Sequence, residues 1–87
     1  MSAKKAVKLS YIERKLAHQP SVLAVYEFIR DYIEEFNFAP TQREVAEGCL
    51  LTRGTIVRYL DRLEALGVLT REMGKARSIT LIDDHRL

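Results

Sequence analysis

The chain has 87 residues, 47% of them hydrophobic and 30% charged; this is the length of one domain and the composition of an ordinary folded one, not of a disordered chain. Its apolar runs are a few residues long, too short to cross a bilayer, and no apolar stretch follows the first lysines as a secretory signal requires, so a cytoplasmic location is expected. The net charge is only +2, yet residues 1–20 hold five Lys/Arg against one Glu, residues 21–51 two Arg against six acids, and residues 52–81 six Lys/Arg against three acids, so two basic segments flank an acidic one.

Residues 1–20 read as a basic leader ending at Pro20. It is either partly flexible or contains a short helix capped by Ser10 with Glu13 behind it. Lys4, Lys5 and Lys8 fit a solubilising end, or an arm lying on an anionic partner. The first firm helix is expected from about Val22 to Phe36, with Ser21 as its N-cap. Val22, Tyr26, Ile29, Ile33 and Phe36 recur at helical spacing, with Glu27, Arg30, Asp31, Glu34 and Glu35 on the other side.

Asn37-Phe-Ala-Pro ends that helix. Thr41-Gln-Arg-Glu44 is a capping box opening a short second helix, with Val45, Ala46 and Cys49 inward. Ala46 is small where two helices would cross. After Leu50-Leu, Thr52 caps a third helix from Arg53 to Leu66, which buries Ile56, Leu60 and Leu63. Gly67 stands where a left-handed residue ends it. The period then changes. Val68 to Glu72 and Arg77 to Ile82 read as strands, joined by a turn over Met73-Gly-Lys-Ala. Three helices and a small β-hairpin in this order make a mainly α, three-helix winged helix-turn-helix domain. It is expected over residues 21–82, with 83–87 as a tail.

The stretch Thr41 to Leu63 has the parts of a helix-turn-helix, whose second helix enters the major groove of B-DNA. The outward side of that helix carries Arg53, Thr55, Val57, Arg58 and Arg62. Arg62 reads as a surface charge pairing with Asp61, Glu64 or solvent. Gly54 reads as room for close approach.

Phe38-Ala-Pro-Thr-Gln-Arg-Glu-Val-Ala resembles the start of the helix-turn-helix in the amino-terminal DNA-binding domain of LexA-type repressors. The preceding Ile-Arg-Asp-Tyr-Ile is similar too, as is the wing with Gly74, Arg77, Ile79 and Leu81. Leu51 to Gly67 more closely resembles the recognition helix of MarR-type winged helices. There are departures. Leu50 replaces the turn glycine, a glycine stands two residues earlier at Gly48, and the third helix is one residue short against the LexA pattern. The chain stops after the wing, leaving no room for the family's serine–lysine peptidase domain, so that activity is not carried over.

The resemblance implies a sequence-specific binder of double-stranded DNA that regulates transcription. Arg53, Thr55 and Arg58 are then expected in the major groove. Thr41, Gln42 and Thr52 at helix N-termini are expected on phosphates, and Lys75 and Arg77 in the wing on backbone or minor groove. A homodimer reading two half-sites is compatible, with its contact in the leader or the first helix. The other reading is a protein-interaction adapter on the same fold, using the acidic first helix with Val68, Leu69 and Met73. Structured RNA fits less well, because its major groove is too narrow and deep for a helix.

No catalytic, metal or cofactor site is expected. His18 and His85 have no second ligand at metal spacing, Cys49 reads as a core residue without a disulfide partner, and there is no glycine-rich phosphate loop. Tyr26, Phe28, Tyr32 and Phe36 follow helical spacing and read as core or dimer contacts, not base-stacking platforms.

Overall fold

A computed structural model describes residue 12 and residues 14–82. Its order is α1 (Pro20–Phe36), α2 (Gln42–Cys49), α3 (Arg53–Ala65), β1 (Leu69–Thr70) and β2 (Thr80–Leu81). The three helices pack on one another, and the antiparallel hairpin, with Leu69 opposite Leu81 and Thr70 opposite Thr80, lies against α3. This is the expected winged helix-turn-helix. No helix among the described residues is long and apolar enough to cross a membrane.

Every helix contributes its apolar stripe to one core. Val25 and Ile29 come from α1, Val45 from α2, and Ile56, Leu60 and Leu63 from α3, all with no exposed surface. Leu69 and Ile79 close it from the hairpin side. Two residues of the segment read as a leader are also in this core, Ile12 at 8% exposure and Leu16 at 1%. A helical turn with Leu16 N–H on Ile12 O at 3.0 Å carries them, so the packed unit reaches back beyond residue 21. Ser10 and the lysines before it lie outside the described residues.

The helix ends show which local rules hold. The start of α1 differs from the expected Ser21 cap, because the helix begins at Pro20 with Gln19 in the cap position and no side-chain cap bond. Proline suits the first helical position, since its missing N–H would find no partner there and its φ is already helical. Gln19 Oε1 instead accepts a bond from Arg62, fastening the start of α1 to α3. That bond also replaces the pairing expected of Arg62 with its own helix. At α2 the capping box is complete in both directions, and at α3 Thr52 caps as expected, accepting from Thr55 N–H at 3.2 Å. Arg53 is therefore the first residue of α3.

The turn between α2 and α3 is closed by Leu51 N–H on Ala46 O at 2.9 Å, with Leu50 left-handed at φ 58° and ψ 43°. This is the conformation for which glycine is usually chosen. Leu50 is also 89% exposed, so its side chain gains almost nothing by burial. Leu50→Gly is expected to stabilise the domain by about 0.5–1 kcal/mol, the relief of the left-handed strain less glycine's greater chain entropy. The midpoint of urea unfolding checks this, and a lowered midpoint would contradict it. The displaced glycine has its own use. A Cβ on Gly48 would run into the ring of Phe28, so α1 and α2 come close enough there to require a glycine.

The strands are two residues each, shorter than the sequence pattern suggests. Ser78 Oγ accepts from Glu72 N–H at 2.9 Å and donates to Glu72 O at 3.1 Å, which takes Glu72 out of the ladder. The segment from 71 to 79 is thus a loop with a pinched neck, and Gly74 and Arg77 have positive φ within it.

Candidate nucleic-acid interface

A cleft of about 580 Å³ opens between the N-terminus of α2, one flank of α3 and the wing. Thr41 and Gln42 line it from α2, Arg53 and Val57 from α3, and Lys75 and Arg77 from the wing. Thr52, Thr55 and Arg58 do not. The helix accounts for this division. Arg58 follows Arg53 by five residues, about 140° around the axis, so Arg53 edges the cleft while Arg58 is exposed outside it. Thr55 is half-buried, and its hydroxyl accepts a bond from Thr52 at 3.0 Å.

Among the described arginines, the two candidates of α3 share with Arg14, before α1, a side chain not paired within the described residues. Both are exposed, and neither takes part in a hydrogen bond or ion pair among the described residues. Arg30 pairs with Asp31, Arg43 with Glu47, Arg62 with Gln19, and Arg71 with Asp61 and Glu64. Unpaired guanidiniums on an exposed helix face offer planar donor forks that match guanine edges or phosphates. Gly54 beside them has open space where a Cβ would stand, so an outside surface can come close to the backbone.

The helix N-termini supply a second kind of donor. The N–H groups of the first turn have no intrahelical acceptor. At α2 the cap satisfies Glu44 N–H and Thr41 N–H, and at α3 it satisfies Thr55 N–H. Gln42, Arg43, Arg53 and Gly54 keep N–H groups at the positive end of a helix dipole, where an anion is favoured. The hydroxyls of Thr41 and Thr52 serve as the caps themselves.

The wing residues behave differently from each other. Lys75 is exposed and holds only a surface pair with Glu72 at 3.3 Å, side chains 70% and 69% exposed. Such a pair is worth little and yields readily to a phosphate. Arg77 is engaged within the protein. Its Nη1 donates to Glu44 Oε1 at 2.9 Å and to Ala39 O at 3.0 Å, and its Nη2 donates to Glu44 Oε2 at 3.0 Å. Its guanidinium also lies 4.9 Å over the Phe38 ring. Tyr32 hydroxyl donates to Glu44 Oε1 at 3.1 Å and completes the cluster.

The Arg77 guanidinium and, after it, the Thr41 N–H hold the Glu44 carboxyl well below the usual carboxylate range, from 4.5 down to about 2. A folded-state value below the unfolded one means that the unfolded chain binds a proton the folded chain does not between those two pH values. The contribution of this carboxylate to stability is therefore fully present above about pH 4.5 and is lost as the pH falls toward about 2. Glu44→Gln is expected to flatten this acid limb, measured as urea midpoints between neutral pH and the acid limit. An unchanged limb would show that other carboxylates set it.

The signal that sequence reading missed is pairing at long range. Glu44 was visible only as half of a capping box, and Arg71 was not a candidate at all. Arg71 has a side chain only 9% exposed, with its Nε on Glu64 at 3.3 Å and its Nη2 on Asp61. Among the described residues no group of three His, Cys, Asp or Glu could hold a metal ion, and burial pushes the Cys49 thiol up, away from reactivity.

Comparison with known proteins places these features in a known setting. The family model for the LexA DNA binding domain matches residues 10–78. The LexA repressor of Geotalea uraniireducens is 37% identical over 73 residues, 82% of this chain and 34% of the repressor. That of Clostridium tetani is 33% identical over 69 residues, 78% of this chain and 34% of the repressor. That of Caldicellulosiruptor saccharolyticus is 36% identical over 61 residues, 69% of this chain and 30% of the repressor. The chain spans about a third of the length of these relatives.

Proposed function

Because this chain belongs to the LexA DNA binding domain family, we propose that it is a sequence-specific binder of double-stranded DNA that regulates transcription. The observation that carries the reading is the pair of exposed, unpaired arginines, Arg53 and Arg58, on a helix whose start is fixed by the Thr52 cap. α3 enters the major groove N-terminus first. Arg53 and Arg58 address base edges there, with Thr55 on the flank. Gln42 and the capped ends at Thr41 and Thr52 bring backbone N–H groups to phosphates on either side. The wing reaches the adjacent backbone or minor groove with Lys75. Two copies reading two half-sites would suit this geometry, and the proposed place of action is the cytoplasm.

The test is selection from random duplex DNA, followed by titration of the enriched duplex at several salt concentrations. One sequence, or a repeated half-site, should be enriched. Binding should fall linearly on a log–log plot against salt, because each neutralised phosphate releases condensed counterions. No enrichment together with no duplex binding at low salt would sink the reading. Enrichment also returns the half-site spacing, which decides between one copy and two.

A further inference from the structure

The wing is fastened at both ends, and to different helices. Arg71 at its start holds its side chain, 9% exposed, against Asp61 and Glu64 of α3. Arg77 at its end grips Glu44 of α2 with two parallel bonds, with Ala39 O as a third acceptor. Between them the Ser78–Glu72 bonds pinch the neck. The tip stands outside, with Met73 92% exposed and Gly74, Lys75 and Ala76 exposed beside it, while Glu72 and Arg77 at its edges are exposed but bonded within the protein.

We propose that Arg71 and Arg77 are positioning residues: two ion-pair clamps set the angle between the wing and the helix-turn-helix, and the wing's contact with DNA falls to the tip, residues 73–76. The proposal rests on the DNA-binding reading but concerns a different property, the orientation of the wing.

Three observations favour a clamp over a direct phosphate contact at Arg77. Three of its five N–H donors already serve a bidentate carboxylate and a carbonyl, so a phosphate would meet only Nε–H and one Nη2–H unless it displaced them. Its backbone is left-handed at φ 55°, a strained conformation for a residue with a side chain, which persists where the surroundings over-determine it. Its guanidinium face is covered by Phe38. Glu44 gains a role by the same logic. A carboxylate at the N-terminus of α2 would repel DNA, and Arg77 neutralises it while using it as an anchor.

The experiment uses the full chain and the variants Glu44→Gln, Arg77→Ala, Arg77→Lys and Lys75→Ala. Glutamine preserves the capping box, so Glu44→Gln removes the ion pair without removing the cap. Two quantities are read. One is the steady-state heteronuclear NOE of amides 73–76 in the free protein. The other is affinity for the selected duplex across a salt series.

A clamp predicts lower NOE values at the tip for Glu44→Gln, Arg77→Ala and Arg77→Lys, with the amide shifts of 53–58 retained. Lysine is no substitute, because it cannot bridge both carboxylate oxygens. In duplex binding these three variants weaken by about tenfold with an unchanged salt slope. Lys75→Ala lowers that slope by about 0.9. Glu44→Gln is the sharpest case, since loss of a negative charge would by itself tighten DNA binding.

The proposal is overturned if the tip NOE values do not change. It is equally overturned if Glu44→Gln binds more tightly, or if Arg77→Lys binds like the parent while Arg77→Ala loses one contact's worth of slope. If the parent binds no duplex, the DNA reading falls, and the NOE values alone decide the clamp.

Discussion

Arg53→Ala is expected to lower affinity for the selected duplex by about 1–3 kcal/mol and to relax preference at one base position. The mutation is unusually clean. Arg53 is exposed and makes no hydrogen bond or ion pair among the described residues, so its removal leaves no partner stranded in the free protein. It is the first residue of α3, and alanine is the better helix former, so the helix itself should not suffer. Binding and folding can therefore be separated. The urea midpoint should stay within about 0.5 kcal/mol of the parent, while binding to the selected duplex falls and binding to an unrelated duplex changes much less. Competition between matched and mismatched duplexes reads this directly. An equal loss on every sequence would reassign Arg53 from base reading to phosphate contact.

Leu16→Ala is expected to have the largest effect on folding. Leu16 is 1% exposed and precedes α1, in a segment whose composition reads as a loose basic leader. Truncating a buried leucine costs about 2–5 kcal/mol through lost burial and the cavity left behind. A domain of this size has about 5–15 kcal/mol of stability altogether, so the variant should unfold far earlier in urea and by heat. Duplex binding at low temperature should survive, because Leu16 is not among the residues lining the cleft. A urea midpoint equal to the parent's would mean that the residues before Pro20 do not belong to the core. The order of the two variants is informative in itself: one fails in binding and the other in folding.

The contrast between these two residues shows where local sequence chemistry is sufficient. Thr41, Thr52 and Gly67 act within four residues of themselves, through caps and one left-handed position, and the sequence pattern placed all three. The buried stripe of Ile56, Leu60 and Leu63 follows from helical spacing alone. Pro20 misled because proline both stops helices and starts them, and here it takes the first position of α1. The Arg77–Glu44 and Arg71–Asp61 contacts join residues 33 and 10 positions apart. No periodicity marks such pairs, and an arginine in a wing looks the same whether it faces DNA or a carboxylate. Gly48 is similar. Its reason is the Phe28 ring, brought against it by the crossing of α1 and α2.

The acidic side of α1 has a kinetic meaning. Asp31, Glu34 and Glu35 are exposed, and no residue of α1 lines the cleft. With a net charge of only +2, the chain approaches a polyanion less as a charged sphere than as a dipole. On the proposed DNA-binding reading, its field would apply a torque before any contact forms, turning α1 away from the phosphates and bringing α3 and the wing tip forward. Encounters in the wrong orientation would be repelled and end early. The acids of α1 would then lie outside the contact surface and still raise the fraction of collisions that become complexes.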